Sequence, residues 1–303
     1  MGTNFSDLED GDAPAQARPQ SAPAAGALFV DCYRLHRVIG RGGAGVVWEA
    51  QDERPSDVSG RLVAIKILPL GSALREVRAS REIAIGRGLT GPGFVPVFDA
   101  GIAPPYAFVV MERLVGEDLA SRLDREGRLG IAGTLRIARQ LATALGIAHA
   151  SGLVHRDLKP TNVFLAAGEG EREVVKLLDF GVAKRLGIDA RVTASNTLLG
   201  APQYSAPEQL SSAPRVDTRA DVWSMAAMMY RCLLGKRPFD GQGAELLAKV
   251  IGEPHPLPSI IDPSLPRGLD GVFARGLAKR PEHRYPTASL FVHDLEKVLF
   301  GWR

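Results

Sequence analysis

The periodicity of the apolar residues changes once along this chain, near Gly116, and that change restricts the fold more than any other feature. Before it, five short runs alternate with turns: YRLHRVIG from Tyr33, GVVWEAQ from Gly45, LVAIKIL from Leu62, VPVFDAG from Val95 and YAFVVMERL from Tyr106. Runs of that length and composition predict strands. One helical stretch, about Ser72 to Arg87, interrupts them. Beyond Gly116 the spacing becomes helical in Leu119–Leu123, Ile131–Ala150, Thr218–Leu234, Ala244–Ile251, Leu269–Ala278 and Ala288–Phe300. LVHRDL, NVFLA and VVKLLDF read as small hairpins, and 184–199 as an exposed loop. Strands followed by helices point to an α+β fold. We expect an Ala/Pro-rich disordered tail over residues 1–28, an antiparallel β lobe with one helix over 29–114, and a mainly helical lobe over 115–303.

Composition excludes several classes of function. The 303 residues are 45% hydrophobic and 23% charged, with a net charge of +3. That balance supplies a core and argues against a dedicated nucleic-acid binder, which carries a basic stripe. Two cysteines, Cys32 and Cys232, make neither a disulfide framework nor a zinc site, so a reducing, cytoplasmic setting is expected. The acidic start lacks a signal-peptide apolar core. The most apolar helical run, Val222 to Leu234, contains Arg231 and is too short for a membrane span, which needs about 20 residues. It reads as a helix buried on all sides.

Four motifs carry chemistry. In Gly40-Arg-Gly42-Gly43-Ala-Gly45-Val46-Val47, glycines let backbone N–H groups approach phosphates closely. A dinucleotide fingerprint opens a helix, whereas GVVWEA continues as a strand, so the loop reads as a β-hairpin lid over phosphates. Lys66, in the apolar strand Val63-Ala64-Ile65-Lys66, lies about 20 residues on, within reach of such phosphates. Its ammonium needs an anion. Glu82 on the single helix is the favoured partner, with Glu76 the competing one. His155-Arg-Asp157-Leu-Lys159-Pro-Thr-Asn162 packs a carboxylate, an ammonium and an amide into one short segment. Asp157 can orient a hydroxyl and accept its proton, and Lys159 can screen charge at a transferring phosphoryl group. Asn162 offers an oxygen to a hard cation such as Mg²⁺. Asp179, in Asp179-Phe180-Gly181, ends an apolar strand, where a carboxylate is costly unless it binds something. The partner it implies is Mg²⁺ bridging nucleotide phosphates.

Together these motifs resemble the protein-kinase signature, and most closely the eukaryotic-like serine/threonine kinases of bacteria, over about residues 33–300. The resemblance implies a bilobal fold with a nucleotide–metal pocket between the two halves. It further implies ATP and Mg²⁺ as cofactors, serine or threonine hydroxyls of proteins as acceptors, and a transient homodimer for trans-autophosphorylation. It assigns Ala206-Pro207-Glu208 as the end of the activation segment, Arg284 as the partner of Glu208, and Asp221 as the helix aspartate holding the catalytic-loop backbone. Met111 resembles the gatekeeper, Glu112 to Leu114 the adenine-binding hinge, and Val47, Ala64 and Phe164 the apolar contacts to adenine. Asp118 is implied as a ligand of ribose or of a basic substrate residue. Arg156, with Lys184 and Arg78, is implied to receive a phosphate on Thr193 or Ser195 of the activation loop. Thr197 is a further hydroxyl in that loop.

Three positions depart from the family pattern. Ala201 stands where a threonine hydroxyl usually bonds the catalytic aspartate and lysine. Gly86 stands where an apolar side chain usually packs on Phe180, which implies a loosely held helix and an incompletely formed Lys66–Glu82 pair. Ala226 replaces a glycine, with no expected consequence. His36, His149, His255, His283 and His293 show no ligand spacing and read as packing residues, and His155 as packing beneath Phe180. A catalytically silent scaffold with this fold, or a small-molecule kinase, are the rival readings. The second generally lacks the Ala-Pro-Glu segment.

Overall fold

The computed structural model describes residues 22–42, 45–55, 60–71, 88–168, 173–179, 201–211 and 216–301. The chain forms two compact units, one from residues 1–79 and 98–110, the other from 80–97 and 111–303.

The first unit is built on a six-stranded sheet of β1 (Leu28–Phe29), β2 (Tyr33–Gly42), β3 (Gly45–Asp52), β4 (Leu62–Pro69), β5 (Val97–Ala103) and β6 (Tyr106–Glu112), in the order β1-β2-β3-β4-β6-β5. The first four pair antiparallel in sequence order. Residues directly opposite across an antiparallel pair share a face. The pairs Val46–Ile67, Trp48–Ile65 and Ala50–Val63 therefore form one apolar face. Ala50, Val63, Ile65 and Ile67 pack there with Phe29, Tyr33, Leu35, Phe108 and Val110. The pairs Val47–Lys66 and Glu49–Ala64 lie on the opposite face. Order begins before the expected start at Phe29. Gly26 N–H donates to the Leu35 carbonyl at 2.7 Å and Leu35 N–H to Ala27 at 2.9 Å. Backbone pairing of this kind needs no large side chain, so an Ala/Gly-rich stretch conceals it.

The second unit centres on α4 (Arg219–Leu234), in which every residue from Ala220 to Leu234 except Arg231 is buried. Packed on it are α2 (Gly130–Ala150), α7 (Gly268–Gly276) and α8 (Ala288–Phe300). Aromatic rings tie the packing together: Tyr230 meets Phe273 edge-on at 5.3 Å, and Trp223 stacks on Phe239 at 5.8 Å. Shorter helices are α1 (Leu119–Glu126), α3 (Pro207–Leu210), α5 (Gly243–Gly252) and α6 (Pro258–Ile261), and α3 and α6 are too short to leave a periodic signature. A second sheet joins β7 (Gly116–Asp118), β8 (Val163–Ala167) and β9 (Glu173–Leu177). The segment before β5 is fixed to it, since Leu177 N–H donates to the Gly93 carbonyl at 2.8 Å. Gly93 admits no side chain, because a Cβ there would lie 2.4 Å from the Ala144 Cβ. NVFLA and VVKLL pair as expected, but LVHRDL is an irregular loop rather than part of a hairpin. The cause is a buried carboxylate that takes its backbone N–H groups, described below. Among the described residues no helix is long and apolar enough to cross a membrane.

Candidate active site

In the first unit, the glycine-rich motif occupies the β2–β3 hairpin, with Gly42 opposite Gly45 and Gly40 opposite Val47. Gly45 is sterically required: a Cβ there would lie 2.3 Å from the Ile67 carbonyl oxygen. Gly42 is not, for among the described residues nothing lies within 4 Å of where its Cβ would be. Open space beside a hairpin backbone is what a bound phosphate needs. Val47 sits directly opposite Lys66, two positions along β4 from Ala64, so three implied nucleotide contacts share one face of the sheet. Lys66 is 5% exposed. Gly43, Glu76, Glu82, Gly86, Arg78, Phe180, Lys184, Thr193, Ser195 and Thr197 lie outside the described residues, as does most of the expected tail.

The second unit brings Asp157, Lys159 and Asn162 together. Lys159 Nζ donates to Asp157 Oδ2 at 2.9 Å. Asn162 Nδ2 donates to the Asp157 carbonyl at 2.8 Å and approaches Oδ2 at 3.4 Å. Since the amide nitrogen is spent on the loop, Asn162 Oδ1 is the atom left to meet a cation. The Leu178 N–H donates to the Asn162 carbonyl at 2.9 Å, which sets the Asp179 segment beside Asn162. Asp179 has φ of 47°, in the left-handed region. Among the described residues no cluster of three or more His, Cys, Asp or Glu side chains could hold a metal alone. A pair of oxygen donors, one amide and one carboxylate, suits Mg²⁺, which retains waters and takes substrate phosphates as its other ligands.

Asp221 explains the shape of this loop. It is fully buried at the start of α4. Its Oδ2 accepts from His155 N–H and its Oδ1 from Arg156 N–H, both at 2.9 Å. Arg156 has φ of 63°, an unfavourable region for an L-residue that costs on the order of 1–3 kcal/mol. Two hydrogen bonds to an ionised acceptor, each contributing about 1.5–3 kcal/mol, offset that strain. The strained turn presents Asp157 at the next position. His155 is also fully buried, its Nε2 donating to the Leu178 carbonyl at 3.0 Å. The Arg156 side chain donates to the Val216 carbonyl at 3.0 Å.

Glu208 and Arg284 form a two-pronged buried pair, with both N···O distances 2.7 Å. Arg284 donates further to the carbonyls of Ala278, Lys279 and Arg219. Met111 and Glu112 end β6, and Glu112 N–H donates to the Pro96 carbonyl at 2.9 Å. Leu114 lies in the connection to β7. Phe164 on β8 pairs with Asp118 on β7. Asp118 caps α1, accepting from Ser121 N at 2.9 Å and Ser121 Oγ at 3.0 Å, so both its oxygens already have a local partner.

Two residues carry roles that their sequence context does not signal. His149, expected only to pack, approaches Asp221 Oδ2 with Nε2 at 2.7 Å. Gln209 donates to the Arg156 carbonyl at 2.6 Å and accepts from Ala206 N–H at 3.0 Å, joining α3 to the loop. The Asp221 and Arg156 partners are distant in sequence, and no local pattern reports those two contacts.

A family model described as "Protein kinase domain" matches residues 33–293. The serine/threonine-protein kinase PknE of Mycobacterium tuberculosis is 35% identical over 258 residues, 84% of this chain and 44% of that protein. Pkn1 of Myxococcus xanthus, also a serine/threonine-protein kinase, is 35% identical over 295 residues, 93% of this chain and 41% of that protein. The serine/threonine-protein kinase PknH of M. tuberculosis is 37% identical over 261 residues, 84% of this chain and 40% of that protein. The chain thus spans less than half the length of these relatives. With its α+β fold, its hairpin glycines and its Asp157–Lys159–Asn162 cluster, the chain belongs to the protein kinase family, beside the serine/threonine kinases of bacteria.

Proposed function

We propose that this protein transfers the γ-phosphoryl group of Mg²⁺-bound ATP to serine and threonine hydroxyls of proteins. One observation carries the reading: a carboxylate, an ammonium and a side-chain amide converge on a strained loop whose backbone is held by a buried aspartate. Phosphoryl transfer asks little covalent work of the protein and rests on positioning and electrostatics. Asp157 aims the acceptor hydroxyl and takes its proton. Lys159 steadies the transferred group while remaining paired with Asp157. Asn162 Oδ1 and the Asp179 carboxylate hold the cation, which when bound neutralises charge on the phosphates. Lys66, paired with Glu82, grips the α- and β-phosphates, and the hairpin glycines Gly40, Gly42, Gly43 and Gly45 admit them. For adenine the family resemblance offers Val47 and Ala64 in the first unit and Met111, Leu114 and Phe164 in the second, with Glu112 contributing backbone contacts. We further propose that Thr193 and Ser195 become phosphorylated in a transient homodimer, and that the protein works in the cytoplasm, where isolated thiols such as Cys32 and Cys232 stay reduced. The names of the relatives support the hydroxyl acceptor class.

The test is transfer of radiolabelled phosphate from ATP to the protein itself and to a generic basic protein, with and without Mg²⁺. Wild type labels both only with the metal, and Asp157→Ala abolishes labelling. Equal labelling by the variant would remove Asp157 from its role. Nucleotide binding without any labelling of wild type would favour the silent scaffold.

A further inference from the structure

Every residue from Ala220 to Leu234 other than Arg231 is buried, and the proposed chemistry makes no use of Arg231. Its side chain is 13% exposed. The guanidinium reaches in two directions: one nitrogen donates to the Tyr204 hydroxyl at 3.1 Å, the other to Asp124 Oδ1 at 2.6 Å. Tyr204 closes the Pro202–Tyr204 turn, which is pinned to α4 where Ser224 Oγ donates to the Tyr204 carbonyl at 2.7 Å. Asp124 lies on α1, and α1 packs against the Pro160–Asn162 turn of the catalytic loop. Gln209 ties α3 to the Arg156 carbonyl, one residue from Asp157. Arg231 therefore bridges α1, which packs on the Asp157 loop, and the 202–204 turn.

We propose that Arg231 reads charge on the protein substrate, favouring an acidic or phosphorylated side chain close to the accepting serine or threonine. The proposal deepens the kinase reading and rests on it. An extended peptide that sets a hydroxyl at Asp157 and continues between α1 and the 202–204 turn passes over the guanidinium. Asp124, the present anionic partner, is 72% exposed, so a carboxylate or phosphate from a substrate can take its place. The exchange keeps an anion on a largely buried cation, whereas a basic substrate residue cannot replace Asp124 and would meet a like charge beside it. Arginine suits the task because its fork bonds carboxylate or phosphate with two nitrogens.

The experiment measures kcat/KM on matched serine peptides carrying glutamate, alanine or arginine at each position around the acceptor. Wild type should prefer glutamate over arginine by about tenfold at one or two positions. R231E should reverse that preference at the same positions. Arg231→Gln, which keeps a donor for Tyr204 without the charge, should abolish it. Asp124→Asn should sharpen it. Arg231→Gln is the deciding variant if R231E does not fold. A uniform loss on all peptides, or unchanged ratios in Arg231→Gln, would overturn the proposal and leave Arg231 as a staple for Tyr204. No transfer by wild type to any peptide or to itself would instead refute the kinase reading beneath it.

Discussion

Removing Glu208 leaves the Arg284 guanidinium buried without its counter-charge. Arg284 has no exposed side-chain surface and Glu208 8%. Losing one member of a buried ion pair costs about 3–5 kcal/mol, because the remaining charge keeps its desolvation penalty. At about 2–4 °C per kcal/mol for a unit of this size, Glu208→Leu should lower the melting temperature by roughly 6–20 °C. The double variant Glu208→Leu/Arg284→Met removes both charges. It gives up donors to the carbonyls of Ala278, Lys279 and Arg219, yet leaves no buried ion. It should therefore be more stable than the sum of the two single variants predicts, by at least about 2 kcal/mol. Urea unfolding followed by circular dichroism and tryptophan fluorescence measures the cycle. Trp223 is a local reporter, since the Arg284 guanidinium lies 4.9 Å from its ring. A Glu208→Leu cost below about 1 kcal/mol, or additive behaviour in the cycle, would refute a desolvated pair as the anchor of α3.

Two further outcomes are expected. Ala201→Thr should raise kcat by about two- to tenfold, the worth of one added hydrogen bond at Asp157 and Lys159. The backbone there, with φ of −110° and ψ of 81°, accepts a β-branched side chain, and an unchanged kcat would show that the hydroxyl does not reach the loop. Burial holds the His255 imidazole below its usual range near 6.5, against the opposing pull of its bond to the Pro256 carbonyl. A histidine with a depressed folded pKa binds fewer protons than the unfolded chain, so its contribution is complete above about pH 6.5 and declines as the pH falls below it. Urea midpoints between about pH 5 and 7 should fall more steeply for wild type than for His255→Phe, and parallel slopes would contradict this.

Much of the fold was legible because strand and helix periodicities are local. Val63 to Leu68 reads as a strand and Ala220 to Leu234 as a buried helix from side-chain pattern alone, and both form. The chemistry-bearing residues Asp157, Lys159 and Asn162 were equally visible, because they lie within one short segment whose residue types suit few other purposes. The same reasoning misread LVHRDL as half of a hairpin and His149 as a packing residue. Both errors have one source, the Asp221 carboxylate more than sixty residues away, which bonds the loop backbone and the imidazole.

The amino-acid sequence by itself determined the two-part α+β plan, the family, and the identity of the groups offered for catalysis, since each depends on spacing within a few turns of chain. Only the tertiary structure decided how those groups are held: the strained turn at Arg156, the Gln209 link, the Glu208–Arg284 anchor and the placement of Arg231 between α1 and the 202–204 turn. Those contacts join residues far apart along the chain, and their energies come from burial, which exists only once the core has closed.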